Sequence, residues 1–132
     1  MRKLVTIQKV LKVEDIPNAD NIQVADVLGW HCVIRRGELK ENDLCCYFEV
    51  DSFLPIRDVF SFLEKGGGRK KMIVDSKQVE GYRLKTVRLR GQISQGLALP
   101  LSYFPELKDV KEGDDVTNVL AVLKYEIPVP TQ

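Results

Sequence analysis

The segment from Val5 to Val13 decides the fold class, and it reads Val-Thr-Ile-Gln-Lys-Val-Leu-Lys-Val. Apolar and mostly polar residues alternate along it, with Lys9 as the one misfit. Successive side chains of a strand point to opposite faces, so this period of two predicts a long first β-strand. The strand is predicted to end before residues 17–21 (Pro-Asn-Ala-Asp-Asn), whose composition is typical of a turn.

Further short strands are predicted at hairpin-like intervals, over residues 22–28, 31–35, 44–50, 83–89 and 93–99. Helical spacing is clear only in residues 59–63, between Pro55 and the glycine run 66–68. Strands without βαβ alternation indicate an all-β chain. We therefore predict a small closed OB-fold-like barrel with one short inserted helix.

Composition indicates one ordinary globular domain, since 44% of the 132 residues are hydrophobic and 30% are charged. No apolar run is long enough to span a membrane, and Gln8 and Lys9 interrupt the apolar stretch that a signal peptide needs. We expect a cytoplasmic, intracellular protein without a membrane partner. Cys32, Cys45 and Cys46 lack C-x-x-C spacing, which predicts reduced strand residues and no metal site.

The sequence carries no complete catalytic motif. The run 66–71 (Gly-Gly-Gly-Arg-Lys-Lys) is glycine-rich and basic but lacks the spacing of a phosphate-binding P-loop, which predicts a mobile surface loop. His31 is the single histidine, so a hydrolase triad is improbable. We expect that the chain is not an enzyme on its own.

The main functional signal is a basic stripe. The net charge is +1, but residues 65–90 contain nine basic and two acidic residues. Such a local excess indicates an anionic partner, for which a solvated strand face is the alternative. The predicted nucleic-acid contacts are Arg83, Lys85, Arg88, Arg90, Gln92, Ser94 and Gln95, then Arg69, Lys70 and Lys71 in the glycine-rich loop, and Tyr82 as a stacking platform.

Strict alternation from Arg83 to Arg90 would distribute these cations over both faces of one strand. One extra residue would bring them to one face. The sequence therefore predicts a β-bulge near Thr86 and Val87.

Three blocks of residues resemble a known family. The first comprises residues 16–25 (IPNADNIQVA), 28–30 and 47–55 (YFEVDSFLP); the second comprises 81–86 (GYRLKT) and 89–97 (LRGQISQGL); the third is 113–117 (GDDVT) followed by 124–126 (KYE). Through these blocks the chain resembles the N-terminal OB domain of the ATP-dependent RNA ligase family, which carries this domain ahead of its nucleotidyltransferase domain.

The resemblance implies that residues 1–124 form an OB-fold-like nucleic-acid-binding domain and that residues 125–132 begin an interdomain linker. Such ligases adenylate a lysine in a K-x-D-G motif, which this chain lacks. The expected partners are RNA, as nicked duplex or broken ends, and a nucleotidyltransferase domain in cis. No cofactor is expected in this chain, because ATP and a divalent metal would bind in that missing catalytic domain.

The implied role is to dock RNA during repair while sealing occurs elsewhere. Two alternatives stay open. The first block also resembles free-standing tRNA-binding OB modules, although the second block does not fit them. A protein-interaction barrel without a nucleic-acid partner would instead expose a contiguous apolar patch.

Overall fold

The computed structural model describes residues 3–66 and 69–126. Within these residues the strands are β1 (Val5–Lys9), β2 (Lys12–Asp15), β3 (Ile22–Val27), β4 (Trp30–Arg35), β5 (Leu44–Phe48), β6 (Ser52–Pro55), β7 (Arg69–Val74), β8 (Lys77–Arg83), β9 (Val87–Leu89), β10 (Gln92–Ser94), β11 (Leu97–Pro100) and β12 (Leu123–Lys124). Two 3₁₀ helices span Asp58–Gly66 and Leu101–Tyr103. None of the helices in this part of the chain is long and apolar enough to cross a membrane.

The first predicted strand is two strands, because the chain changes sheets between Val10 and Leu11. The Val10 N–H donates to the Asp43 carbonyl at 2.8 Å, next to β5, whereas the Leu11 N–H donates to the Asp26 carbonyl of β3 at 2.8 Å. The prediction of one long strand over residues 5–13 was therefore wrong at its midpoint. The change of direction lets one continuous segment serve both sheets, as closure of a barrel requires.

The barrel closes between β4 and the end of β10. β2, β3 and β4 form one antiparallel sheet, and β1, β5 and β11 form another. The Gln95 N–H donates to the His31 carbonyl at 2.8 Å, and the Val33 N–H donates to Ser94 Oγ at 2.8 Å. Around the barrel, β1 and β2 share one position, followed by β3, β4, a position shared by β10 and β11, and then β5. The predicted OB-fold-like barrel is therefore confirmed.

The strand β5 is buried on both faces. Cys45 and Tyr47 pack into the barrel interior with residues such as Ala25. Cys46 and Phe48 point the other way, into a second cluster of buried residues. Its members include Leu4, Ile7, Leu54, Phe60, Tyr82, Phe104 and Leu120. The adjacent cysteines thus lie on opposite faces, as predicted.

A long insertion between β5 and β10 carries the basic stripe. It contains β6, the first 3₁₀ helix, β7, β8 and β9. Three of these strands form a sheet with the C-terminal β12, in the order β12-β6-β8-β7. The helix was predicted, but β6, β7 and most of β8 were not. Arg69, Lys70 and Lys71 lie in β7 and not in a mobile loop, and Gly67 and Gly68 lie outside the described residues.

The predicted continuous strand from Arg83 to Arg90 was also wrong, and it contains no bulge. β8 ends at Arg83, and Leu84 still has backbone hydrogen bonds with Ser52 and Asp51. Residues 85–86 belong to no strand, and β9 pairs regularly with β10. Arg90 (φ 51°) and Gly91 (φ 81°) form the two-residue turn between them. Two consecutive left-handed residues are typical of a tight β-hairpin.

Candidate nucleic-acid interface

Arg83 is half-buried and has partners within the domain. Its Nη2 contacts Asp51 Oδ1 at 3.1 Å, and its guanidinium carbon lies 4.6 Å from the centre of the Tyr125 ring. Tyr125 in turn stacks near Phe53 and donates its backbone N–H to the Asp51 carbonyl at 2.8 Å. Arg83 thus anchors the segment around Tyr125. A phosphate would have to compete with Asp51 for the Arg83 guanidinium.

Tyr82 was wrongly predicted to be a stacking platform. Its side chain is only 2% exposed, and its hydroxyl donates to Glu64 Oε2 at 3.1 Å. Burial and the neighbouring Glu64 carboxylate raise the pKa of Tyr82. The ring is therefore a core element that ties the 3₁₀ helix to β8, and no face of it is open to a base.

Ser94 and Gln95 hold the barrel closed. Ser94 is buried and accepts its hydrogen bond from β4. The Gln95 carbonyl accepts hydrogen bonds from the Tyr47 hydroxyl at 3.1 Å and from Cys32 Sγ at 3.4 Å. Gln92 lies nearby, but its side-chain amide donates to the Ile93 carbonyl at 2.9 Å. The structure thus gives these residues mainly internal partners.

The β7 cations lie in a different sheet from the β9–β10 hairpin. Arg69 is paired with Glu64 at 2.8 Å and with Glu80 at 3.4 Å, so its charge is largely neutralised. Lys71 is exposed and Lys70 is half-buried on the same edge strand. The eleven predicted residues therefore do not form one site.

Four of the predicted cations are exposed without a carboxylate partner among residues 3–66 and 69–126. Lys71 is one of them and lies in β7. The other three are Lys85 in the connecting segment, Arg88 in β9 and Arg90 in the turn, and we call these three the basic hairpin. Val87 and Leu89 face a groove, so alternation places Arg88 on the opposite face of the hairpin. Unpaired cations in this arrangement would surround the hairpin with positive potential.

A groove runs beside the basic hairpin. Val33, Phe62, Leu89 and Leu97 line both a depression of about 160 Å³ and an adjoining one of about 600 Å³, and we call this continuous surface the apolar groove. Lys85 and Arg83 line its narrow end, and the exposed Arg35 lines its wide end. Tyr103 also lines the wide end, where its hydroxyl donates to Glu38 Oε2 at 2.8 Å.

Phe62 and Tyr103 are the surface aromatic residues that sequence reasoning missed. Phe62 is 39% exposed and Tyr103 is 40% exposed. The helical spacing of residues 59–63 was the available signal for the exposure of Phe62. Phe60 points into the core, and Phe62, two positions further along the helix, lies on another face. Only the fold shows that the helix lies across from β4.

No cluster in the described part of the chain groups three or more potential metal ligands among histidine, cysteine, aspartate and glutamate. The sequence 111–114 (Lys-Glu-Gly-Asp), which carries letters of the ligase motif in a different order, forms a turn: the Lys111 N–H donates to Asp114 Oδ2 at 2.8 Å, and the Asp114 N–H donates to the Lys111 carbonyl at 3.0 Å. This geometry presents a structural turn and no nucleophile pocket.

Comparison with known proteins defines the class of this domain. A family described as an OB-fold domain matches residues 4–101, and the chain belongs to that family. No curated protein matches the chain significantly. The strand content, the order of the strands around the barrel and the family match therefore agree on an OB fold.

Solved structures extend the likeness to one kind of enzyme. A Naegleria gruberi RNA ligase with PPi is 42% identical with a TM-score of 0.87, over 99% of this chain and 37% of that chain. A mutant of the same ligase with AMP and Mn is 43% identical with a TM-score of 0.85, over 98% of this chain and 37% of that chain. The chain thus spans little more than a third of the ligase and is similar to its N-terminal OB domain.

Proposed function

We propose that this chain is a non-catalytic RNA-binding OB module that docks broken or nicked RNA for an ATP-dependent RNA ligase. The observation that carries the proposal is the basic hairpin, whose Lys85, Arg88 and Arg90 have no carboxylate partner in the described parts of the chain. Exposed cations gain free energy by releasing the counterions condensed on a polyphosphate backbone. The phosphates of an RNA backbone would supply the anionic partners that the described part of the protein does not give these cations.

The position of the hairpin in the fold supports the proposal by analogy. OB-folds bind oligonucleotides on the face of their second and third strands, with help from the loops between strands one and two and between strands four and five. Here β3 and β4 are the second and third barrel strands, and the basic hairpin ends the insertion between the fourth and fifth. Its cations therefore lie where this fold class usually contacts nucleic acid.

The same proposal assigns the chemistry to another part of the enzyme. A nucleotidyltransferase domain in cis would supply the lysine nucleophile, ATP and a divalent metal. The printed sequence contains no K-x-D-G, and the related ligase structures hold PPi, AMP and Mn in a chain almost three times as long. This domain would contribute RNA docking to repair.

A protein-interaction barrel is the competing function, because the apolar groove exposes Phe62 and Leu89. The cations around that groove favour RNA over an uncharged protein surface. A free-standing tRNA-binding module would use the same cations, and it would require no partner domain.

The experiment is a binding titration with labelled RNA. Replacing Arg88 and Arg90 with glutamate should weaken binding at least tenfold, because each lost phosphate contact is replaced by repulsion. Glutamate at Lys108 and Lys111, which are exposed and line none of the grooves described above, is the matched control. An equal loss of affinity in both variants would reject the proposal. A parent chain that binds no RNA would reject it as well.

A further inference from the structure

The apolar groove and the basic hairpin differ in chemistry. The hairpin offers three unpaired cations, whereas the wide end of the groove is lined by the carboxylates of Glu38 and Asp58 as well as by Arg35. A phosphate would be repelled by these carboxylates. The groove is therefore suited to the neutral, flat part of a nucleotide and the hairpin to its charged part.

We infer that the apolar groove binds an unpaired nucleobase of the RNA, stacked on Phe62, while Lys85, which lines the narrow end of the groove, holds the adjoining phosphate. The inference rests on the proposed RNA-binding function and specifies its ligand as a single-stranded end. In a duplex the bases are stacked on one another and their faces are closed to side chains.

The size and lining of the groove fit a base. Its wide part measures about 600 Å³, within the roughly 300–1,000 Å³ of small-molecule sites. Phe62 from the 3₁₀ helix and Leu89 from β9 both line the groove and present exposed apolar surface. Aromatic rings stack on any base, because every base has a π-face.

The polar groups of the groove match the edge of a base. Glu38 and Asp58 are hydrogen-bond acceptors, and exocyclic amino groups of adenine, cytosine and guanine are donors. Glu38 already accepts the Tyr103 hydroxyl, which fixes that ring at the wall of the groove. Uracil has no amino group, so a cytosine or adenine end should bind more tightly than a uracil end.

The charges at the ends of the groove give the path of the backbone. Lys85 lines the narrow end, next to the hairpin, and Arg35 lines the wide end. Neither side chain has an ion-pair partner in residues 3–66 or 69–126. A strand whose base enters the groove therefore finds Lys85 for the phosphate on the hairpin side, whereas Arg35 at the wide end offsets the Glu38 and Asp58 carboxylates.

The test compares a single-stranded RNA with a backbone of equal length that lacks bases. Replacing a stacking side chain by alanine lowers the affinity about fivefold to hundredfold per stacked base. Phe62→Ala should therefore weaken binding of the RNA about tenfold and leave binding of the abasic strand unchanged. Phe62→Trp should restore binding, and Ile73→Ala, which removes an exposed apolar side chain outside the groove, should change neither affinity.

A second measurement is independent of affinity. The chain has a single tryptophan, Trp30, which lies outside the apolar groove. The double variant Trp30→Phe with Phe62→Trp moves the only tryptophan into the groove, where a stacked base should quench its fluorescence. The abasic strand should leave that fluorescence unchanged.

The outcomes separate this inference from the proposed function. Salt-dependent binding that is equal for the RNA and the abasic strand would overturn the base site and leave RNA docking in place. Equal loss of both ligands in Phe62→Ala would also overturn it, because the ring would then act only by supporting the hairpin. Failure of the parent chain to bind either ligand would overturn both.

Discussion

The guanidinium of Arg83 lies over the ring of Tyr125, 4.6 Å from its centre, while its Nη2 contacts Asp51 at 3.1 Å. Arg83 belongs to β8, and Tyr125 follows β12, which pairs with β6 at the edge of the same four-stranded sheet. Arg83, which belongs to the second of the three blocks that resemble the ligase family, thus anchors the segment around Tyr125.

Arg83→Ala should lower the free energy of unfolding by about 1 kcal/mol, through loss of a partly exposed ion pair and a cation–π contact. Urea denaturation measures this change. Arg88→Ala is the control and should change stability by less than about 0.5 kcal/mol, since Arg88 is exposed and unpaired in the described structure. A double variant with Tyr125→Leu should lose less than the sum of the two single changes; strict additivity would show that the two side chains do not interact.

Gly96→Ala should be strongly destabilising, by about 2 kcal/mol or more. The backbone there has φ +94°, and an added Cβ would lie 2.6 Å from Tyr47 Oη and 2.8 Å from the Phe48 carbonyl oxygen. Gly91→Ala provides the comparison, because Gly91 also has a positive φ of 81° but no atom within 4 Å of the added Cβ. Thermal unfolding of both variants tests the close approach at Gly96. Similar losses of stability in the two variants would show that only the backbone strain common to both glycines matters.

The three thiols should be unreactive in the folded protein. Burial raises the pKa of Cys32, Cys45 and Cys46 to about 12, which keeps them protonated at pH 8. The thiolate is the reactive form, and the sulfur atoms are also shielded from reagents. A chromogenic disulfide reagent should therefore titrate three thiols in denaturant and react only very slowly without it. Rapid modification of any one thiol in the native state would contradict this description of the core.

The alternation of residue types in 5–13 and 44–50 was sufficient to predict strands, although only β1 has one buried face with period two, and β5 is buried on both faces. It failed around residues 69–83, where β7 and β8 form a sheet whose exposed cations obscured the pattern. The basic stripe indicated a region for RNA binding, which stays a prediction, and it could not show which of its side chains have partners inside the domain. Tyr82, Arg83 and Ser94 have neighbours distant in sequence, and only the fold reveals that Glu64, Asp51 and Val33 are those neighbours.

The isolated chain should not form a covalent adenylate. Mixed with α-labelled ATP and manganese or magnesium, it should retain no label after denaturation, since its Lys111 lies in a turn and no K-x-D-G is present in the printed sequence. A complete RNA ligase with that motif is the positive control. Label that survives denaturation on this chain would show that a nucleophile exists within it.

The salt dependence of RNA binding tests the central claim most directly. For single strands the logarithm of the binding constant falls by about 0.7 per phosphate contact for each unit of the logarithm of salt concentration. Replacing Lys85, Arg88 and Arg90 together with glutamine should therefore reduce the slope by about 2, while the same change at Lys108 and Lys111 should leave it unaltered. An unchanged slope in the hairpin variant, or an affinity that does not respond to salt in the parent chain, would contradict the account.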